Sequence, residues 1–231
     1  MNVLFYAPVF EPVVKDIFAW ANNLVEASKI LHNTTLLIDK NEVTREVYLS
    51  ALRDNELVFI IAHGEPNAFG YHEEVNGMLV PKITSTSADK DLYSGKIVCA
   101  LSCNLASDFG LAISKNATFI GYTEPIILVN NRRVVSYNRS SLLRVVELLI
   151  EGHSTQDAFN EALINYNKIL DKLAGEDDPV LQLTYTAIAH NRDSFVHLGE
   201  DREVYTESKM NFVIGSLVAF SSIPIFVEKV K

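Results

Sequence analysis

The sequence predicts an α/β domain with a mostly parallel central sheet flanked by helices. Three observations predict it. Short runs such as Leu57 to Ala62 and Ile97 to Ser102 are apolar at nearly every position, as strands buried on both faces are. Segments with apolar residues at helical spacing alternate with them. Turn-rich stretches punctuate the two patterns, and that alternation is the signature of parallel sheets covered by helices.

Val3 to Ala7 reads as the first strand. From Val13 to Leu31, Val14, Ile17, Phe18, Ala21, Leu24, Val25 and Ile30 recur at helical spacing, with Pro12 at home near the helix start. Thr34 to Ile38 is the second strand. Asp39 or Asn41 is placed to cap a helix over Glu42 to Arg53. Leu57 to Ala62 and Ile97 to Ser102 are the third and fourth strands. Asp108 to Lys115 reads as a short helix and Thr118 to Tyr122 as the fifth strand. Residues 65–95 break the alternation. They are polar and turn-rich, and Asn76-Gly77 predicts a small hairpin within them. A loop this long in a compact domain is more often functional than idle.

The second half is helical. Ser140 to Glu151 and Thr155 to Leu173 are amphipathic, with Gly152 as a stop between them and Ser154 or Asp157 at the second start. Val180 to His190 fits either a helix or a strand. Phe195 to Leu198 reads as the last strand. The domain is expected to span residues 1–206. Residues 207–231 form a hydrophobic tail whose core, 210–227, carries no charge. Eighteen residues lie near the lower limit for spanning a bilayer, while Asn211, three serines and Pro224 argue for a terminal element packed on the domain. Both a packed element and a membrane anchor stay open.

The net charge of −9 and the lack of a basic stripe argue against nucleic-acid binding. Cys99 and Cys103 would lie about 13 Å apart along one strand, too far to bridge. Two free thiols and a start that does not read as a signal peptide predict a reducing, cytoplasmic setting. His153, His190 and His197 share no metal-ligand spacing, and neither a metal nor a cofactor is expected.

Two strand ends carry the chemistry. The run Val58 to Ala62 stops at His63-Gly64, and the run ending at Ser102 stops at Cys103-Asn104. Adjacent parallel strands point their carboxyl ends the same way, and ligands bind at that edge. A thiol and an imidazole meeting there make a nucleophile and its proton carrier. The amides of Gly64 and Cys103 are two candidate donors to one oxyanion. Read singly, Cys103 is equally a buried structural thiol and His63 a satisfied strand-end histidine. Cys99, in mid-strand, reads as core.

An apolar strand ending in His63-Gly64, a long loop, an apolar strand ending in Ser102-Cys103-Asn104, a short helix and then Thr118-Phe119-Ile120-Gly121-Tyr122 resemble the caspase-like cysteine peptidases. LSCNLAS and ATFIGYTEP resemble CHAT domains in particular. SFVHLGEDREVY is similar to the closing stretch of many such domains, although Glu200 and Asp201 follow Gly199 where a proline is expected nearby. The resemblance covers about residues 1–206. It implies a caspase-like three-layer sandwich and a cysteine endopeptidase with a Cys-His dyad that cleaves a specific protein partner. Cys103 would attack the scissile carbonyl, His63 would protonate the leaving amine, and the Gly64 and Cys103 amides would hold the oxyanion. No third residue is required, and none is nominated.

Glu65 and Asn104 flank the dyad and are candidate linings of a specificity pocket. Arg132 and Arg133 form either a polar turn or a bidentate guanidinium site for an acidic substrate side chain. His72, in the long loop, is the alternative base. A catalytically silent module that binds a partner is the competing expectation.

Overall fold

The computed structural model describes residues 1–206. Among the described residues six strands form the central sheet: β1 (Asn2–Tyr6), β2 (Asn33–Leu37), β3 (Leu57–Ile61), β7 (Ile97–Leu101), β8 (Thr118–Tyr122) and β9 (Phe195–Leu198), in the order β2-β1-β3-β7-β8-β9. All neighbours run parallel except β9, which pairs antiparallel with β8. Three further strands, β4 (His63–Glu65), β5 (Ala68–Val75) and β6 (Met78–Thr86), make a separate antiparallel sheet.

Successive side chains of a strand point to opposite faces, so each buried strand feeds two cores. On one face Phe5, Phe59, Ile61, Cys99 and Leu101 pack beneath α1 (Pro12–Leu31), α4 (Val135–Glu151) and α5 (Thr155–Leu173). On the other, Leu4, Tyr6, Val58, Ile60, Val98 and Ala100 pack against α2 (Arg45–Asp54) and the turns flanking β7. The result is three layers, helix–sheet–helix. Among the described residues the remaining α-helices are the short α3 (Leu111–Ile113) and α6 (Pro179–Ser194), and Ser87–Tyr93 forms a 3-10 helix.

Several boundaries differ from the sequence expectation for identifiable reasons. The helix expected from Glu42 begins at Arg45, capped by Thr44 and not by Asp39 or Asn41. Asp39 closes a turn by accepting the Glu42 and Val43 amides, and the Glu42 carboxylate accepts the Ile38 and Asp39 amides. Glu42 is therefore consumed by the turn before the helix. The helix expected at Asp108 is a single π-helical turn, Ala106–Gly110, running into α3. The ambiguous segment after Gly175 is helix α6, with Pro179 at its first position and the Asp178 carboxylate capping the Val180 and Leu181 amides. α4 starts at Val135, five residues early, without a polar side-chain cap to announce it.

The hairpin expected at Asn76-Gly77 is present and longer than anticipated. Both residues have positive φ, 53° and 76°, as a two-residue hairpin turn requires. Its base is tied to the domain. The Tyr6 hydroxyl lies 2.6 Å from Thr84 Oγ1, and the Arg45 guanidinium grips the Asp89 carboxylate with two bonds, at 2.7 and 2.6 Å. That grip holds the Asp89 carboxyl down to about 2. Residues 210–227, read as either a packed tail or a membrane anchor, lie outside the described residues. Among the described residues no helix is long and apolar enough to cross a membrane.

Candidate active site at the carboxyl edge of the sheet

The strand order reverses between β1 and β3: β1 continues to β2 on one side and the chain returns to β3 on the other. The crevice at the carboxyl ends of strands flanking such a switch is the usual ligand position in open α/β sheets. Segments leaving β1, β3 and β7 meet there.

β3 pairs with β7 in register up to Ile61 and Leu101, so the chain continues toward His63 on one side and Cys103 on the other. At that point the two backbones close on each other. A Cβ added to Gly64 would sit 2.2 Å from the Cys103 carbonyl oxygen and 3.0 Å from the Cys103 nitrogen. No side chain fits there, which is the physical reason for glycine after His63. The close approach fixes the imidazole-bearing strand end against the thiol-bearing one.

Cys103 is partly exposed and its thiol is free. Its Sγ accepts the Ile126 amide at 3.4 Å, so the segment after β8 passes over the sulfur. Among the described residues, the Cys103 N–H has no hydrogen-bond acceptor. Asn104 turns the chain in the left-handed region, φ 57°, a conformation asparagine tolerates better than most residues. Its amide donates to the Glu124 carbonyl and its carbonyl accepts from the Ser107 amide and hydroxyl. Asn104 thus shapes the turn that presents the sulfur. Cys99, four residues back, is 1% exposed, and burial pushes its thiol up to about 12.

His63 is held by a residue that sequence reasoning did not nominate. Its Nε2 lies 2.7 Å from Oε2 of Glu11, a carboxylate only 7% exposed. Glu11 is the N-cap residue of α1, yet its side chain makes no capping bond. It turns to the sheet edge instead, accepting the His72 amide on Oε1 at 3.1 Å and facing His72 Nδ1 from Oε2 at 3.2 Å. Two imidazoles, one amide and the positive end of a 20-residue helix offset the cost of burying this charge. His72 reaches the cluster through strand periodicity. Gly70 pairs with His63 across β4 and β5, and His72 stands two residues further on the same face. The two rings meet edge to face, with centroids 4.6 Å apart.

The other residues singled out in the sequence lie elsewhere or act otherwise. Glu65 ends the short β4, exposed to solvent. Arg133 pairs with Asp178 at 2.8 Å. Arg132 lines a groove with Leu24, Arg139 and Glu147, between α1 and α4. Among the described residues no hydrogen bond or ion pair joins either arginine to His63, Gly64 or Cys103.

The edge therefore presents an accessible thiol on a tight turn, an imidazole oriented by a buried carboxylate, and an unengaged amide beside the sulfur. With Nε2 turned to Glu11, the Nδ1 position of His63 is the one left for proton exchange. Glu11 had one readable signal, an acidic residue directly before a proline that opens the helix after β1. His72, readable in the sequence as an alternative base, gave no sign beyond its alternation within β5 that it would share Glu11 with His63. No protein-family model matches the chain, and no curated protein matches it.

Proposed function

We propose that the protein is a caspase-like cysteine endopeptidase that cleaves a specific protein partner. The observation that carries this reading is the contact of Gly64 with the Cys103 backbone, which locks the histidine and cysteine strand ends together at the carboxyl edge. The three-layer fold with its mostly parallel sheet fits the architecture the resemblance implies.

In this reading the Cys103 thiol gives its proton to His63 Nδ1 as the sulfur attacks the scissile carbonyl carbon. The carbonyl oxygen becomes an oxyanion, accepting hydrogen bonds from the Cys103 and Gly64 amides. His63 returns the proton to the leaving amine as the C–N bond breaks, leaving a thioester on Cys103. A water then gives its proton to His63 and attacks the thioester, and the proton returns to the sulfur as the acid product departs. Glu11 is a positioning residue: its carboxylate accepts a hydrogen bond from the His63 Nε2–H and keeps Nδ1 free for transfer. The polypeptide substrate would lie along the edge, beside Glu65 and the turn at Asn104.

The test uses the untagged full chain and a panel of peptidyl acyloxymethyl ketones varied at the residue before the reactive carbonyl. At least one member should label Cys103 stoichiometrically, with labelling at least ~100-fold slower in His63→Ala, the lower range for loss of acid–base catalysis. If iodoacetamide alkylates Cys103 but no panel member does, and no peptide in a diverse library is cut, the peptidase reading fails. A module that binds a partner through the same fold would then be the better account.

A further inference from the structure

The cluster around Glu11 has the composition of a metal site as well as of a positioning network. One carboxylate oxygen and two imidazole nitrogens, from Glu11, His63 and His72, all lie within 4.8 Å of one another. We propose that these three side chains bind a transition-metal dication, of which Zn²⁺ is the best fit, and that the ion and the use of His63 as a proton carrier exclude each other.

Chemistry and geometry both support the site. Zinc is commonly held by three protein ligands drawn from imidazole and carboxylate, with a fourth position left open. Tetrahedral ligands at zinc bond lengths stand about 3.4 Å apart. The Glu11 oxygen is now 2.7 Å from His63 Nε2 and 3.2 Å from His72 Nδ1, so displacements of under about 1 Å would open the cluster around an ion. Both nitrogens face Glu11 Oε2. As ligands each would offer a lone pair, with the ring proton carried on the opposite nitrogen. The carboxylate is already anchored from behind, since Oε1 accepts the His72 amide, and such outer bonds steady metal ligands. The three ligands come from the start of α1, from β4 and from β5. No spacing in the sequence announces them, and the set exists only once β1 and β3 are neighbours and the hairpin folds back. Cys103 is not in the cluster, so the thiol stays free while its imidazole partner is withdrawn. Binding follows from the cluster alone, whereas inhibition of Cys103 chemistry rests on the peptidase reading.

The experiment is a Zn²⁺ titration of the untagged full chain by calorimetry, with Co²⁺ as a visible-absorption probe of ligand geometry. One ion per chain should bind with micromolar or tighter affinity, and the Co²⁺ adduct should show the intense d–d bands of a four- or five-coordinate nitrogen and oxygen site. Affinity should fall at least ~10-fold in His72→Asn and in Glu11→Gln and stay unchanged in His153→Asn. It should persist in Cys103→Ala, which separates this site from adventitious thiol binding. No stoichiometric binding, binding lost in Cys103→Ala, or binding retained in both folded variants His72→Asn and Glu11→Gln would overturn the site. The rate of iodoacetamide alkylation of Cys103 reads the second half. Zn²⁺ should slow it in wild type and not in His72→Asn, and an unchanged wild-type rate at saturating Zn²⁺ would overturn the exclusion while leaving the site in place.

Discussion

Cys99 and Cys103 belong to the same run of chain and live in different chemical worlds. Cys99 stands in the middle of β7, packed with Phe59 and Leu101 beneath the helices, and burial pushes its thiol up to about 12. Cys103 stands just past the strand end, partly exposed, with Gly64 packed on its backbone and the Ile126 amide on its sulfur. The histidines repeat the contrast. His32 is buried, its Nε2 on the Ile150 carbonyl, whereas His63 faces the edge with a carboxylate behind it. For the cysteines, the same side chain is packing material inside the sheet and partly exposed at its rim. What decides is where the strand stops.

The sharpest way to break this contrast is to exchange the consequences of substitution. Cys103→Ala should abolish labelling by the reactive ketones and leave stability within about 0.5 kcal/mol, as substitutions away from the core do. Cys99→Ser should do the reverse, leaving labelling intact and lowering stability by about 1–3 kcal/mol, because it buries a hydroxyl with no partner at hand. Urea unfolding and labelling rates on both variants check this. A Cys99→Ser protein that loses labelling while folded would erase the distinction.

Next in size is the contact between the two strand ends. Gly64→Ala puts a methyl group 2.2 Å from the Cys103 carbonyl oxygen, a backbone atom that cannot swing aside. Labelling should fall about 100-fold or more, with about 1–3 kcal/mol lost in stability from the overpacked backbone. Gly77→Ala, at the hairpin tip with nothing nearby but a positive φ, should cost stability alone. Glu11→Gln should have a smaller effect, slowing labelling about 10-fold or more, because the amide can hold the imidazole with the wrong ring nitrogen protonated.

The smallest effect is on pH. Burial holds the pKa of His32 and of His197 below the usual histidine value. Near pH 6.5 the unfolded chain takes up protons that the folded chain refuses. Their contribution is therefore complete above pH 6.5 and is lost as pH falls from there toward the depressed folded values. Urea midpoints should decline between pH 7 and pH 5, and His32→Gln should reduce the decline. A midpoint that rises over this range would contradict the burial argument.

How much of this was readable in the sequence follows the same division. Thr118–Tyr122, Thr155–Leu173 and Phe195–Leu198 were legible to the residue, because a mostly apolar run or a clear helical stripe marks each. The placement of His63 and Cys103 just past the ends of neighbouring parallel strands was legible, because an apolar run that stops abruptly is a local signal. Arg45 as the true start of α2 was not, since Glu42 spends its carboxylate on a turn that propensity does not reveal. Glu11 was not, and His72 was readable only as an alternative base, because their meeting depends on sheet order and on a hairpin returning over β1, contacts 61 residues apart in the chain. Long-range assembly leaves no trace in local spacing.

The pairing of thiol and imidazole is tested most directly by the alkylation rate of Cys103 by iodoacetamide between about pH 5 and pH 9, measured by mass spectrometry with Cys99 in the same molecule as the control and His63→Ala beside it. Cys103 should react rapidly at neutral pH, Cys99 should not react in the folded chain, and removing His63 should slow Cys103 and change its pH profile. A Cys103 as inert as Cys99, or one whose rate and profile are the same without His63, would contradict the pairing of thiol and imidazole at the sheet edge.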